Sequence, residues 1–303
     1  MGTFSPESLT GILPPMVTPF REGDEEIDEQ ALRQEIRYMV DEGKVHGLVV
    51  GGSTGEGQTL TTDELRQLVG VTVDEVAGRL PVIAGIIVDS TRQAVERVKA
   101  LSDLDVAALQ VTPVHYLWRP SDEMMQRHFA TIADASSIPL FIYNVVPWSY
   151  LSPQLLTKII VEVDGVMGVK QSAADLRSLA DVLLLLDGRG MVFSAMDALL
   201  YPSFVLKPTG VIAGILPTAP KLCVRLWDAV ERGDHVTALD LHEKLLPIWR
   251  AIEGDNMCGN IKTTLDLQNR AHSVCRSPMT PTSATQKAAI RDALVNAELI
   301  AGS

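Results

Sequence analysis

A lysine that closes an apolar strand is poorly placed for solubility, and Lys170 occupies such a position in the stretch GVMGVKQSAAD at 165–175. Strand alternation puts Val166, Gly168 and Lys170 on one face and Met167 and Val169 on the other. Small and polar residues follow, then Asp175, a side chain suited to opening a helix. Lys170 therefore falls at a strand's C-terminal end, which in a parallel barrel is the end that carries chemistry. An amine in a low-dielectric mouth loses part of its preference for the charged form and becomes a nucleophile toward carbonyls, so the chemistry on offer is imine formation. An edge lysine or a snorkelling one would read the same way, so the neighbours decide.

Two other sites supply suitable neighbours. GGSTGEGQTLT at 51–61 sets the hydroxyls of Ser53 and Thr54 between glycines just before a helix. Such a turn offers N–H and hydroxyl donors to an anion such as a carboxylate, without any basic side chain. It lacks the Gly-Lys-Ser/Thr of a phosphate-binding P-loop. The run LFIY ends in Tyr143, about one βα repeat before Lys170, which predicts adjacent strand ends with backbones roughly 5 Å apart. A phenol beside an amine can relay protons for carbinolamine formation and dehydration.

These residues need a frame that brings strand ends together. Eight short apolar runs, at 11–17, 47–51, 82–86, 107–111, 140–143, 166–170, 191–194 and 211–214, alternate with helix-period segments near 29–42, 62–76, 91–101, 122–135, 153–162, 176–186, 198–206 and 219–231. Thr61 with Glu64, and Ser90 with Gln93, predict capping boxes, and Ser152 with Pro153 predicts an N-cap with proline at N1. Alternation carried through eight units predicts an α/β fold, a (β/α)8 TIM barrel, over 1–233. An open doubly wound sheet fits less well, since no GxGxxG follows the first strand. After Gly233 the pattern is helical, near 236–252, 259–268 and 284–301, which predicts a C-terminal helical appendage over 234–303.

Composition narrows the partners. A net charge of -12 over 303 residues argues against nucleic acid or an anionic membrane. Three cysteines, Cys223, Cys258 and Cys275, have no CxxC spacing and suit a reducing cytosol, so a cytoplasmic location is expected. The start MGTFSPESLTG has neither a basic n-region nor an apolar h-region, no apolar run approaches the ~18 residues of a membrane span, and Met1-Gly2 is not read as a myristoylation signal. The six histidines, His46, His115, His128, His235, His242 and His272, are scattered without a facial ligand cluster, which argues against a metal; a protonated imine would itself be the electron sink, so neither a metal nor an organic cofactor is expected.

GGSTGEGQTL, VTP at 111–113, YNVVP at 143–147, GVKQSAADL at 168–176, GVIAG at 210–214 and SPMTP at 277–281 occur in this order. With them the chain resembles the dihydrodipicolinate synthase / N-acetylneuraminate lyase family of class I pyruvate aldolases over nearly its whole length. The resemblance implies a barrel with a C-terminal helical region and a homo-oligomer, a tetramer or a dimer. It makes Lys170 the Schiff-base lysine and Tyr143 the proton-relay tyrosine. Ser53 and Thr54 become the pair that holds the pyruvyl carboxylate, with Thr54 also in the relay, and Ile212 and Ala195 line the pyruvyl pocket.

The departures concern the second substrate. VVPWSYLSP has Trp148, Ser149 and Tyr150 where the synthases carry an arginine for aspartate semialdehyde. SAMDALL keeps Asp197 of the lyases' acidic pair but has Ala198 beside it. VHYLWRP replaces the synthases' relay aromatic, leaving His115 or Tyr116 for that place. His115, Tyr116, Trp148 and Asp197 are therefore the candidate relay or acceptor residues. The expected function is making or breaking the C3–C4 bond of a 2-oxo acid, with pyruvate as one half and an aldehyde as the other. A 2-keto-3-deoxy sugar acid or an arylidene pyruvate fits the less cationic pocket. Alternatives are condensation of pyruvate with aspartate semialdehyde, a hydro-lyase or deaminase using the same imine, a metal-dependent aldolase, and a non-catalytic sensor that would need neither Lys170 nor Tyr143.

Overall fold

The computed structural model describes residues 3–173 and 175–302. Gly2 and Ala174 of the motifs above lie outside the described residues. The barrel elements run β1 (Gly11–Ile12), α1 (Glu29–Arg37), β2 (Leu48–Val50), α2 (Thr62–Val76), β3 (Val82–Ile86), α3 (Thr91–Ala100), β4 (Ala108–Val111), α4 (Asp122–Asp134), β5 (Leu140–Asn144), α5 (Pro153–Glu162), β6 (Val166–Gln171), α6 (Leu176–Leu186), β7 (Met191–Ser194), α7 (Leu200–Val205), β8 (Gly210–Val211) and α8 (Pro220–Glu231). Then come α9 (His235–Ile252), α10 (Met257–Leu267) and α11 (Ala284–Asn296). The strands are parallel in the order β1-β8-β7-β6-β5-β4-β3-β2. The ring closes between β1 and β2 through a bridge from Pro15 to Val49, where Met16 N–H donates to Val49 O at 2.8 Å and Val49 N–H to Pro14 O at 3.0 Å. The (β/α)8 TIM barrel with C-terminal helices is thus the observed architecture.

Strands buried on both faces read as continuous Val/Ile runs because each face has its own apolar partner. The outward set, including Val50, Ala84, Leu109, Ile142, Val169 and Val192, packs beneath the helices. The inward set, with Leu13, Val49, Ile83, Ala108, Phe141, Phe193 and Ile212, fills the barrel. Phe141 and Phe193 meet edge to face at 4.9 Å between ring centroids, a pairing that stabilises by about 0.5–1.5 kcal/mol beyond area burial.

Several boundaries differ from expectation. β1 stops at Ile12, because Pro14 and Pro15 have no N–H to continue a ladder. β8 stops at Val211, and the chain turns as Ile215 N–H donates to the Asp197 carboxylate at 2.8 Å. α1 ends at Arg37 and passes into a π-turn, Tyr38–Gly43, that Lys44 closes in the left-handed region. Asp197–Leu199 form a separate 3-10 turn before α7. α11 ends at Asn296 because Glu298, at φ +59°, allows Leu299 N–H to reach Leu294 O and Glu298 N–H to reach Val295 O. Thr61 and Glu64 form the full capping box, whereas Ser90 accepts from Gln93 N–H but the Gln93 side chain meets the Ser90 hydroxyl instead of its backbone. Ser152 and Asp175 cap α5 and α6.

His128 of α4 is buried, with Nδ1 2.8 Å from the Thr91 hydroxyl at the start of α3. Burial pushes it down from 6.5 to about 4, so it stays neutral in the fold while an unfolded chain protonates it. Its contribution is complete above pH 6.5 and is lost as the pH falls toward 4. Urea titrations are expected to show His128→Gln losing less stability than the parent over that window, by about 2–3 kcal/mol from the size of the shift. Parallel curves would show that His128 is not the group responsible.

Candidate active site

Lys170 lies in register with Tyr143 of β5 and Phe193 of β7, so all three side chains face the barrel interior. It is 4% exposed, and its Nζ sits 4.0 Å from the centroid of the Tyr143 ring. An ammonium over an aromatic face recovers part of what it loses on leaving water. Tyr143, also buried, donates its hydroxyl to Ser53 Oγ at 3.1 Å. Amine, phenol and hydroxyl from three elements therefore meet at the C-terminal rim.

The loop after β2 is shaped by close backbone approach. A Cβ on Gly57 would lie 1.9 Å from Gly51 O, and one on Gly85 would lie 2.4 Å from the same oxygen. Ser53–Gly55 and Gly57–Thr59 form two 3-10 turns joined by Glu56 at φ +52°. The turns use the N–H groups of Gly55, Glu56, Gly57 and Thr59; those of Ser53 and Thr54 are not among their donors. Thr54 is buried and Ser53 half-buried. The buried Thr18 donates to Gly55 O at 2.6 Å. Glu56, at 1% exposure, accepts from Lys262 Nζ of α10 at 2.6 Å and from Arg276 N–H at 3.0 Å. Lys262 also donates to Val274 O at 2.6 Å. The Cys258 thiol donates to Ser53 O at 3.4 Å; burial pushes it up to about 11 and Cys275 up to about 12, which keeps both thiols protonated.

The remaining predicted residues divide into two groups. Ile212 is fully buried in the inner cluster, and half-buried Ala195 follows the end of β7. Asp197, half-buried, is pushed up to about 6 by burial, against the pull of Ile215 N–H and the Lys170 charge, so it belongs to the same electrostatic site. His115, Tyr116 and Trp148 lie farther out. Asp89 accepts from the backbone N–H groups of His115 and Tyr116, both at 2.8 Å, and Trp148 Nε1 donates to His115 O at 2.7 Å. Tyr116 and Trp148 are exposed, and the Tyr143 hydroxyl is bonded to Ser53 rather than to His115 or Tyr116. Ser149 and Tyr150 donate to Val114 O and Ser172 O, and Arg119 is paired with Asp122. Two surface clefts, of about 810 and 770 Å³, are lined by none of these residues.

Sequence reasoning missed Thr18, Lys262 and the role of Glu56. Glu56 stood in the quoted loop motif, but Lys262 lies 206 positions away and carries no local signal. Among the described residues, no helix is long and apolar enough to cross a membrane.

A buried lysine facing a tyrosine on the next strand, under a hydroxyl-bearing turn at the C-terminal rim of a (β/α)8 barrel, defines an enzyme of the class I lyase/aldolase kind. The model of the Dihydrodipicolinate synthetase family matches residues 8–297, and the chain belongs to that family. It is 37% identical over 294 residues to the 4-hydroxy-tetrahydrodipicolinate synthase of Nitrobacter hamburgensis, covering 94% of this chain and 95% of the relative. A crystal structure of a putative dihydrodipicolinate synthetase from Pseudomonas aeruginosa superposes with a TM-score of 0.90 at 28% identity, over 95% of this chain and 99% of that one. YagE, a prophage protein of the same family from E. coli K12 solved in complex with pyruvate, superposes with a TM-score of 0.91 at 25% identity, over 96% of this chain and 99% of that one.

Replacing Lys262 by methionine would leave the Glu56 carboxylate buried without its cation. Lys262→Met is expected to destabilise the protein by about 3 kcal/mol in urea denaturation, with part recovered in Lys262→Met/Glu56→Gln. A loss below about 1 kcal/mol, the range of an exposed pair, would mean that Glu56 is held by other groups.

Proposed function

We propose that this enzyme makes or breaks the C3–C4 bond of a 2-oxo acid through an imine on Lys170, with pyruvate as the product or the donor. The observation that carries the reading is the buried Lys170 Nζ over the Tyr143 ring, with the Tyr143 hydroxyl on Ser53 Oγ. The amine attacks the C2 carbonyl. The phenol and Ser53 pass a proton to the departing oxygen, and loss of water leaves a protonated imine. In cleavage, the C4 hydroxyl gives its proton back to the phenol–Ser53 relay, the C3–C4 electron pair moves into the iminium, and the aldehyde leaves; an arylidene pyruvate first takes up water across its C3–C4 double bond, which supplies that hydroxyl. Protonation of the resulting enamine at C3 and hydrolysis then free pyruvate and Lys170. Ser53 and Thr54 hold the carboxylate, Thr54 also serving the relay, while Ile212 and Ala195 line the pyruvyl pocket. Pyruvate in the YagE complex supports the same small ligand here.

For the acceptor half, the segment after Tyr143 decides. The polar groups of Trp148, Ser149 and Tyr150 bond within the protein, and Arg119 is paired with Asp122. Asp197 is better suited to a substrate hydroxyl than to a carboxylate. This supports a neutral hydroxylated or aromatic aldehyde. Names of relatives such as the Nitrobacter hamburgensis enzyme favour a second reading, condensation of pyruvate with aspartate semialdehyde. The same proposal includes a homo-oligomer, supported by the exposed run Tyr116, Leu117 and Trp118 beside Trp148.

Borohydride reduction with pyruvate is expected to add one reduced pyruvyl group to the intact protein and none to a folded Lys170→Ala variant. Trapping that persists in the variant would assign the nucleophile to another lysine. For the acceptor, kcat/KM with aspartate semialdehyde is expected to fall about tenfold or more below that for cleavage of a 2-keto-3-deoxy sugar acid or an arylidene pyruvate, equivalent to ~1.4 kcal/mol. The opposite order, lost in Arg119→Ala, would make the synthase reading the right one.

A further inference from the structure

Gln110 is an inward-facing polar residue that the mechanism above does not use. On β4 it is in register with Phe141 of β5, a member of the inner cluster, so its side chain shares the barrel interior. Tyr143 stands two residues farther along β5, about 7 Å toward the rim. Gln110 is therefore one layer beneath the Lys170–Tyr143 pair. Its exposure is 0%, and neither Nε2 nor Oε1 has a protein partner. The amide aims at the base of the Ser53–Thr54 turn: a Cβ on Gly52 would meet one heavy atom within 4 Å, Gln110 Nε2 at 3.6 Å. Surrounding interior positions are apolar, including Ile83, Ala108, Phe141, Phe193 and Ile212, so packing alone would be served better by leucine or methionine.

The chemistry of the two orphan ends selects the ligand. A carboxylate only accepts and would leave Oε1 unpaired; an ammonium only donates and would leave Nε2 unpaired. A hydroxyl does both. We propose that Gln110 forms the floor of the 2-oxo acid pocket and binds an O–H group there, either a water or a hydroxyl of the substrate; this rests on the imine reading above. A water held there is placed for product release. It adds to C2 of the iminium and one of its protons passes through the relay to the lysine nitrogen; the C–N bond then breaks as the new hydroxyl gives its remaining proton to the relay, leaving ketone and free amine. A substrate hydroxyl held there instead makes Gln110 a specificity residue for hydroxylated 2-oxo acids.

The test uses Gln110→Leu and the near-isosteric Gln110→Met in the full-length enzyme, both expected to keep or raise Tm because an unpaired amide is removed. If the bound group is water, exchange of the pyruvate C2 oxygen with 18O-labelled water, read by mass spectrometry, falls about tenfold in both variants. If it is a substrate hydroxyl, that exchange is unchanged. Then kcat/KM falls about tenfold for a hydroxylated 2-keto-3-deoxy acid relative to an arylidene pyruvate, which lacks the hydroxyl. Either result upholds the role of Gln110. Variants that fold yet leave exchange and the substrate ratio within about twofold of the parent overturn it while leaving the imine reading intact. A parent enzyme that shows neither oxygen exchange nor borohydride trapping overturns both together.

Discussion

Strand register is the constraint on which the site depends. Tyr143 pairs with Lys170 and Lys170 with Phe193, and side chains alternate between the two faces of each strand. A slip of one residue in β6 would turn Lys170 out beneath the helices and bring Val169 into the barrel. Both faces are apolar, so alternation of polarity does not set this register. The fit of large and small inward residues does: Phe141 stands opposite Gly168, which has no side chain to compete with it, and the Phe141–Phe193 contact anchors the layer below the amine. Closure of the ring between β1 and β2 then requires every register to be consistent around the barrel.

The C-terminal helices serve this site as well as covering the barrel. Glu56 joins two tight turns in left-handed backbone, a conformation that costs about 1–3 kcal/mol in a non-glycine residue. Lys262 and the Arg276 N–H hold its carboxylate from outside the barrel. The Arg276 side chain continues the clamp onto Thr59 O and the Glu64 carboxylate, so the residue that completes the α2 capping box also fastens the loop to the C-terminal segment. Ser53 and Thr54 thus stand on a loop fixed at Thr18, Glu56 and Glu64. In the proposed carboxylate-binding role a donor array needs that rigidity, because its value lies in not having to reorganise around the anion.

How much of this was legible follows from how local each signal is. Eight apolar runs announced eight strands because each strand is buried on both faces. Asp175, Ser152 and the Thr61–Glu64 box marked helix starts through side chains within three residues of the backbone they bond. Lys170 and Tyr143 were legible because one βα repeat separates them. The ends of β1 and β8 were misread: apolar composition persists past Ile12 and Val211, while the prolines and the Asp197 carboxylate redirect the backbone. Lys262 was illegible because a buried lysine on an amphipathic helix looks like a surface one until its partner, in a distant loop, is known. Gln110 sat in an ordinary strand run, and only the loss of every polar neighbour sets it apart.

Charge placement connects these features to catalysis. The chain carries a net charge of -12, yet the turn that faces Lys170 offers N–H groups and hydroxyls to an anion and no arginine. An arginine there would bind a carboxylate more tightly, but its fixed charge beside the proposed imine nitrogen would oppose protonation of that imine, the state that in the proposed reaction draws electrons from C3–C4. In the proposed imine chemistry, neutral donors would leave the iminium as the principal positive charge that the carboxylate meets, so that the attraction between the two would grow as the imine forms. Binding that strengthens along the reaction coordinate contributes to rate as well as to affinity. Asp197, on the other flank, lies in the field of Lys170 and accepts from Ile215 N–H, and in the proposed reading it serves the acceptor half of the substrate. In the proposed function, affinity for the acid end and polarity for the breaking bond would fall to different parts of one rim, so that the acceptor side could change chemistry while the lysine and its tyrosine stay fixed.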